Sequence, residues 1–243
     1  MRAIYDDVIL IKRAGDAFRL IATIYLLLLL LYSKKSKGFS GKSQALFAIV
    51  YTARYFGKYV GDVLVLNGFE ILLRVTLLWS SYVIVYLIYY KFEHHSSREQ
   101  DKFRIGYLIV PSGLLAILYN PGFSSNVIDY DELRMYGIPF VELGWAFSYY
   151  LEAVAIWPQL LVQYIRKNRE KQDYADFYLI LMGISRLMYS IYSIYERERD
   201  VISDVSGIVQ LYAYLAYFLL QVAFNRKSDQ SKTEDVIAKR TYV

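Results

Sequence analysis

Apolar residues gather into seven runs of helical length, at about 14–32, 43–60, 67–90, 105–120, 140–164, 174–195 and 201–225, separated by short polar segments such as LYSKKSKGFSGKS and IRKNREKQDYAD. About 20 residues cross a hydrocarbon core as a helix, and several of the runs reach that length. The pattern predicts an all-α integral membrane protein with seven transmembrane helices. The spans occupy 1–225, and 226–243 form a polar, flexible tail. The first run is interrupted by Arg19 and the fourth is short. Residues 1–16 hold only a four-residue apolar stretch without a small-residue cleavage site, so the first span is expected to serve as its own insertion signal.

The distribution of charge supplies a direction. The loops after runs one, three and five, with the tail, carry 17 Lys and Arg, against 7 in the N-terminus and the alternate loops. The positive-inside rule puts the C-terminus in the cytosol and the N-terminus on the lumenal or outer side, which requires an odd number of spans. The net charge of +5 is spread along these loops and not gathered on one face, so no nucleic-acid partner is expected. With no cysteine in 243 residues, disulfides and thiolate chemistry are excluded. His94 and His95 are the only histidines; they adjoin in a loop beside Glu93 and make a poor metal site. No phosphate loop, nucleophile elbow or metalloprotease helix is present, so neither enzyme chemistry nor a cofactor is expected.

The remaining four basic residues, Arg19, Arg54, Arg74 and Arg186, lie within the apolar runs. An arginine at bilayer depth costs at least about 2.5–3.5 kcal/mol on insertion scales, so it persists where a partner or ligand compensates it. In the fifth run Glu142, Trp145, Tyr149 and Glu152 fall within an arc of about 80° at helical spacing, and two carboxyls on one stripe should face a cavity. The second run carries Gln44, Tyr51, Arg54 and Tyr55, the sixth Ser185, Arg186, Tyr189, Tyr192 and Ser193. Arg74 could instead form a structural pair with one of the two glutamates, Arg186 could snorkel, and Pro158 reads as a helix kink. Arg54, near mid-span among tyrosines, is the strongest functional candidate.

Several segments then point to a known family. GFSGKSQALFAIVYTARY at 38–55, KFRIGYLIVPSG at 102–113 and WAFSYYLEAVAIWPQL at 145–160, with weaker stretches at 178–195 and 207–218, resemble the ER lumen protein-retaining (KDEL) receptors in family order. The resemblance implies two three-helix bundles joined by a linking fourth helix, similar to SWEET and PQ-loop transporters. It implies a receptor of Golgi and ER membranes that binds C-terminal Lys/His-Asp-Glu-Leu tails from the lumenal side and returns in coatomer-coated vesicles. By the same resemblance Arg54 takes the tail carboxylate, with Tyr55 beside it. Glu142 and Trp145 sit at the pocket mouth, Glu152 belongs to an inner switch, Arg186 and Tyr189 open the ligand-contacting sixth helix, and Lys12 stands for a lumenal arginine.

The departures from the family are specific. Arg19 aligns with the histidine credited with sensing Golgi acidity, and arginine does not titrate in that range, so a flatter pH dependence is expected. Gly57 replaces an acidic residue, Ser185 the tyrosine that partners the inner glutamate, and Ala216 an aspartate on the last helix. A late arginine aligns with Glu196 or Arg197. With Arg19 unable to titrate, release at neutral pH would need another titrating group, and Glu152 is one candidate. Lys227, Lys232 and Lys239 are the tail candidates for recruiting a coat. The expected function is a divergent retrieval receptor; a small-solute transporter or a trafficking paralogue without cargo binding are the alternatives.

Overall fold

A computed structural model describes residues 2–33, 38–61, 68–91, 104–119, 138–167, 173–195 and 201–241, and every regular element in them is helical. The helices are α1 (Arg2–Ser33), α2 (Gly41–Gly61), α3 (Gly68–Tyr86, closed by a π turn at Leu87–Lys91), α4 (Gly106–Leu118), α5 (Ile138–Ala155), α6 (Trp157–Lys167), α7 (Asp173–Tyr195) and α8 (Val201–Thr241). Each of the seven apolar runs becomes one helix, except the fifth, which becomes α5 and α6. Val8–Tyr32, Glu70–Lys91, Tyr174–Tyr195 and Val201–Ala223 are each long and apolar enough to cross a membrane unaided. Among the other runs, α2 carries Lys42, Arg54 and Lys58, α4 is 13 residues long, and the fifth is broken.

Two trios of helices pack side by side. In one, α3 lies against both α1 and α2; in the other, α8 lies against both α5 and α7. The trios meet where α1 packs on α7 and α2 on α5, and α4 rests on α5, the helix that opens the second trio. These are the two expected three-helix bundles, with α4 between them in chain order and packed on the second. The reason is legible in α1, whose buried stripe runs Gly15, Arg19, Ala22, Leu26 and Leu30, while Ile21, Ile24, Leu28 and Leu31 face outward. The stripe has the 3–4 spacing of a packed helix, and the outward face is as apolar as lipid requires. Gly15 permits the close approach of α7: a Cβ there would stand 3.3 Å from the Cβ of Met188 and from the Tyr189 ring. The core joins Leu46 and Val50 of α2, Leu151 and Ala155 of α5, Leu179 and Met182 of α7, and Ile84 of α3.

The break in the fifth run is the kink expected at Pro158. Proline supplies no N–H, and the next two amides, of Gln159 and Leu160, both turn to the Ile156 carbonyl at 3.0 and 3.1 Å. The Ala155 carbonyl, freed from its helical partner, accepts the Ser43 hydroxyl of α2 at 2.6 Å. Gln159 and Gln163 of α6 then bind the chain just before α2. Gln159 accepts the Ser40 amide at 2.7 Å and donates to the Gly38 carbonyl at 2.9 Å; Gln163 donates to the same carbonyl at 2.8 Å. Gly38 has φ 95°, a conformation open to glycine. Ser40 caps α2, its hydroxyl oxygen accepting the Ser43 amide at 3.2 Å, the usual service of a serine at a helix start.

The tail differs from expectation. Its backbone continues α8 unbroken to Thr241, because NRKSDQSKTEDVIAKR contains neither glycine nor proline and is made mostly of residues that tolerate a helix.

Candidate functional site

Where the two trios meet, charge is buried. Glu152 of α5 has no exposed surface, and three guanidinium groups converge on it from three other helices. Arg54 of α2 donates through Nη2 to Oε2 at 2.6 Å, Arg19 of α1 brings Nη2 to 2.7 Å from Oε1, and Arg186 of α7 brings Nη1 to 3.6 Å from Oε2. The Arg19 contact is an ion pair without hydrogen-bond alignment, so Oε1 is held by charge alone. A buried pair of this kind is strong only when its remaining donors are satisfied. Here they are not all satisfied, since the Nε groups of Arg19 and Arg186 are buried without a hydrogen-bond partner.

The surroundings orient these cations. Arg54 Nε donates to Ser148 Oγ at 3.2 Å, and its guanidinium carbon lies 4.2 Å from the centre of the Tyr149 ring, a cation–π distance. Arg19 sits 4.9 Å from the Tyr189 ring centre, and Arg186 donates from Nη2 to Ser206 Oγ of α8 at 3.2 Å. The Tyr189 hydroxyl donates to Asp16, one turn before Arg19. Ser185, read above as a replacement for a tyrosine, donates to the Gly15 carbonyl at 2.8 Å, tying α7 to α1. Counting Glu152 and Asp16 together, positive groups still outnumber negative ones. The cluster carries a net positive charge.

The predicted site residues divide into those gathered here and those left outside. Arg19, Arg54, Arg186 and Glu152 form the cluster, with Tyr189 on its edge. Tyr55 is buried and stacks on Tyr51 with ring centres 5.9 Å apart, backing α2 without bonding to Glu152. Trp145 packs edge-on against Tyr149 at 4.8 Å, and its carbonyl accepts the Ser148 hydroxyl at 2.7 Å, so its links to Arg54 run through Tyr149 and Ser148. Glu142 is exposed. At the rise of an α-helix it stands roughly 15 Å from Glu152 along α5. Lys12 is exposed too, its ammonium 5.2 Å from the Tyr192 ring centre. Glu196, Arg197, His94 and His95 lie outside the described residues, as do the side chains of Lys227, Lys232 and Lys239.

Arg74 pairs with neither of the two glutamates considered for it. It reaches Glu70 one turn earlier at 3.6 Å, a local i,i+4 contact that keeps it out of the cluster. Two contributors escape a reading of the sequence. Ser148 is one turn from Glu152, so helical spacing could have found it; Ser206 carries no such signal, because only the packing of α8 on α7 brings it to Arg186.

The match to known proteins follows the same elements. A family model described as ER lumen protein retaining receptor matches residues 35–196. That stretch holds Arg54, Glu142, Trp145, Glu152, Arg186 and Tyr189, while Lys12 and Arg19 precede it. ER lumen protein-retaining receptor 3 of Mus musculus is 38% identical over 212 residues, which cover 86% of this chain and 90% of that protein. ER lumen protein-retaining receptor 2 of Gallus gallus is 37% identical over 215 residues, 87% of this chain and 92% of that protein. The receptor 2 of Homo sapiens is 35% identical over the same length and shares.

Proposed function

The chain belongs to the ER lumen protein retaining receptor family, and from that premise we propose that it binds the C-terminal Lys/His-Asp-Glu-Leu tails of lumenal proteins and returns them from Golgi to ER. It is a multi-pass protein of those membranes, with its N-terminus lumenal and its C-terminus available to the coatomer coat. The observation that carries this reading is the surplus of buried guanidinium charge around Arg54. A carboxylate arriving there gains charge-assisted hydrogen bonds in surroundings where water competes little.

In this reading Arg54 holds the terminal carboxylate, Arg186 extends the attractive field, and Lys12 draws the acidic side chains at the mouth. Glu142, with Trp145 below it, takes the basic residue that opens the tail. Arg19 keeps its charge throughout the range from about pH 5.5 to 7.5, so binding changes little across it. The test is titration of labelled KDEL-type and HDEL-type peptides against purified protein over that range. Arg54→Ala is expected to weaken binding by at least ~30-fold, the loss that follows truncation of a buried charged partner. Unchanged affinity in that variant refutes the assignment.

A further inference from the structure

Every guanidinium has a side-on fork, Nε and Nη2, that a carboxylate fills with its two oxygens. In Arg54 this fork is already filled: Nε donates to Ser148 Oγ at 3.2 Å and Nη2 to Glu152 Oε2 at 2.6 Å. Both acceptors come from α5, one turn apart and therefore on one face. Together they present two oxygens to Arg54 much as a carboxylate would, and a ligand carboxylate entering side-on must displace them.

We infer that Ser148 and Glu152 are a built-in stand-in for the ligand carboxylate, and that Arg19 sets affinity, without touching the ligand, by holding Glu152 once Arg54 releases it. This rests on the reading of Arg54 as the carboxylate receptor. Displacement is tolerable only if Glu152 keeps compensation afterwards, because a buried carboxylate stripped of partners is costly. Arg19 supplies that compensation from α1 at 2.7 Å on Oε1, the oxygen Arg54 does not use, and Arg186 adds to it at 3.6 Å on Oε2. The exchange also transfers Arg54 from an internal partner to an external one, so occupancy would loosen α2 from α5 while α1 stays fastened to α5. Arg19 is thus a positioning residue.

Four proteins make the test: the unmodified chain, Glu152→Gln, Arg19→Ala and the double variant, each titrated with a peptide ending in Asp-Glu-Leu. Glu152→Gln is expected to tighten binding roughly tenfold and Arg19→Ala to weaken it roughly tenfold, the size of coupling seen between contacting charges. In the Glu152→Gln background Arg19→Ala should change affinity by less than about twofold, since nothing remains for Arg19 to hold. Weaker or unchanged binding in Glu152→Gln overturns the inference. So does an equal loss from Arg19→Ala in both backgrounds, which would mean that Arg19 meets the ligand directly. Should Glu152→Gln not fold, Ser148→Ala vacates half of the fork at small structural cost. It is expected to tighten binding by about threefold, one net hydrogen bond, and any loss of affinity in it counts against the stand-in. Absence of binding by the unmodified protein would instead sink the function itself, a separate and visible outcome.

Discussion

Two buried polar clusters fasten the trios of helices together, and they are built on opposite principles. The cluster around Gln159 and Gln163 is neutral, and each amide or hydroxyl named in it has a partner: the Ser40 amide, the Gly38 carbonyl and the Ala155 carbonyl are all answered. The cluster around Glu152 is charged and unbalanced, with Nε of Arg19 and Arg186 left without hydrogen bonds. A fully satisfied network has one low-energy arrangement and rigidifies what it joins. An unbalanced one has somewhere to go when another anion arrives. The first is a staple that secures α2 to α6, and the second, in the proposed function, is a lock whose key is a carboxylate.

Three substitutions press on that contrast. The largest effect is expected from Glu152→Ala, which leaves three buried guanidinium groups without their shared anion. Removing one member of a buried ion pair costs about 3–5 kcal/mol, read as a large fall in thermal midpoint of the purified protein. A midpoint close to that of the unmodified protein would show that the arginines are compensated elsewhere. Gln159→Ala comes next, since it orphans the Ser40 amide and weakens the hold on Gly38. The cost is about 1–3 kcal/mol of stability, while peptide affinity at fixed temperature stays as it was. Altered affinity in this variant would erase the distinction between staple and lock. Arg74→Ala should do least, because its partner Glu70 is partly exposed and one turn away on the same helix. Such a contact contributes about 0.5 kcal/mol at most, and neither stability nor binding should move measurably.

The arginines show how far a linear reading reaches and where it stops. All four in the apolar runs are conspicuous by their cost, and three of them meet on one carboxylate. Arg74 differs from them only in context: Glu70 precedes it by one turn, whereas Arg54 and Arg186 have no acidic residue in the turn before them, and Asp16, one turn before Arg19, accepts the Tyr189 hydroxyl. The arc of Glu142, Trp145, Tyr149 and Glu152 is correct as geometry yet divides in depth. Helical periodicity gives the direction of a side chain but not its distance from the core, so Glu152 is fully buried while Glu142 is exposed. The break at Pro158 is visible because proline removes an N–H wherever it stands. The identity of the group that answers the freed Ala155 carbonyl is not, since Ser43 is 112 residues away.

What the chain determines by itself is local and additive: seven apolar runs, the kink at Pro158 and the expense of arginine in lipid. Family membership is legible there too, because motifs such as GKSQ and TARY are contiguous. Tertiary structure alone decided which cation meets which anion. Ion pairing acts over a few ångströms, and the residues joined at Glu152 come from α1, α2 and α7, none of them next to α5 along the chain. No periodicity within one helix encodes a meeting of four.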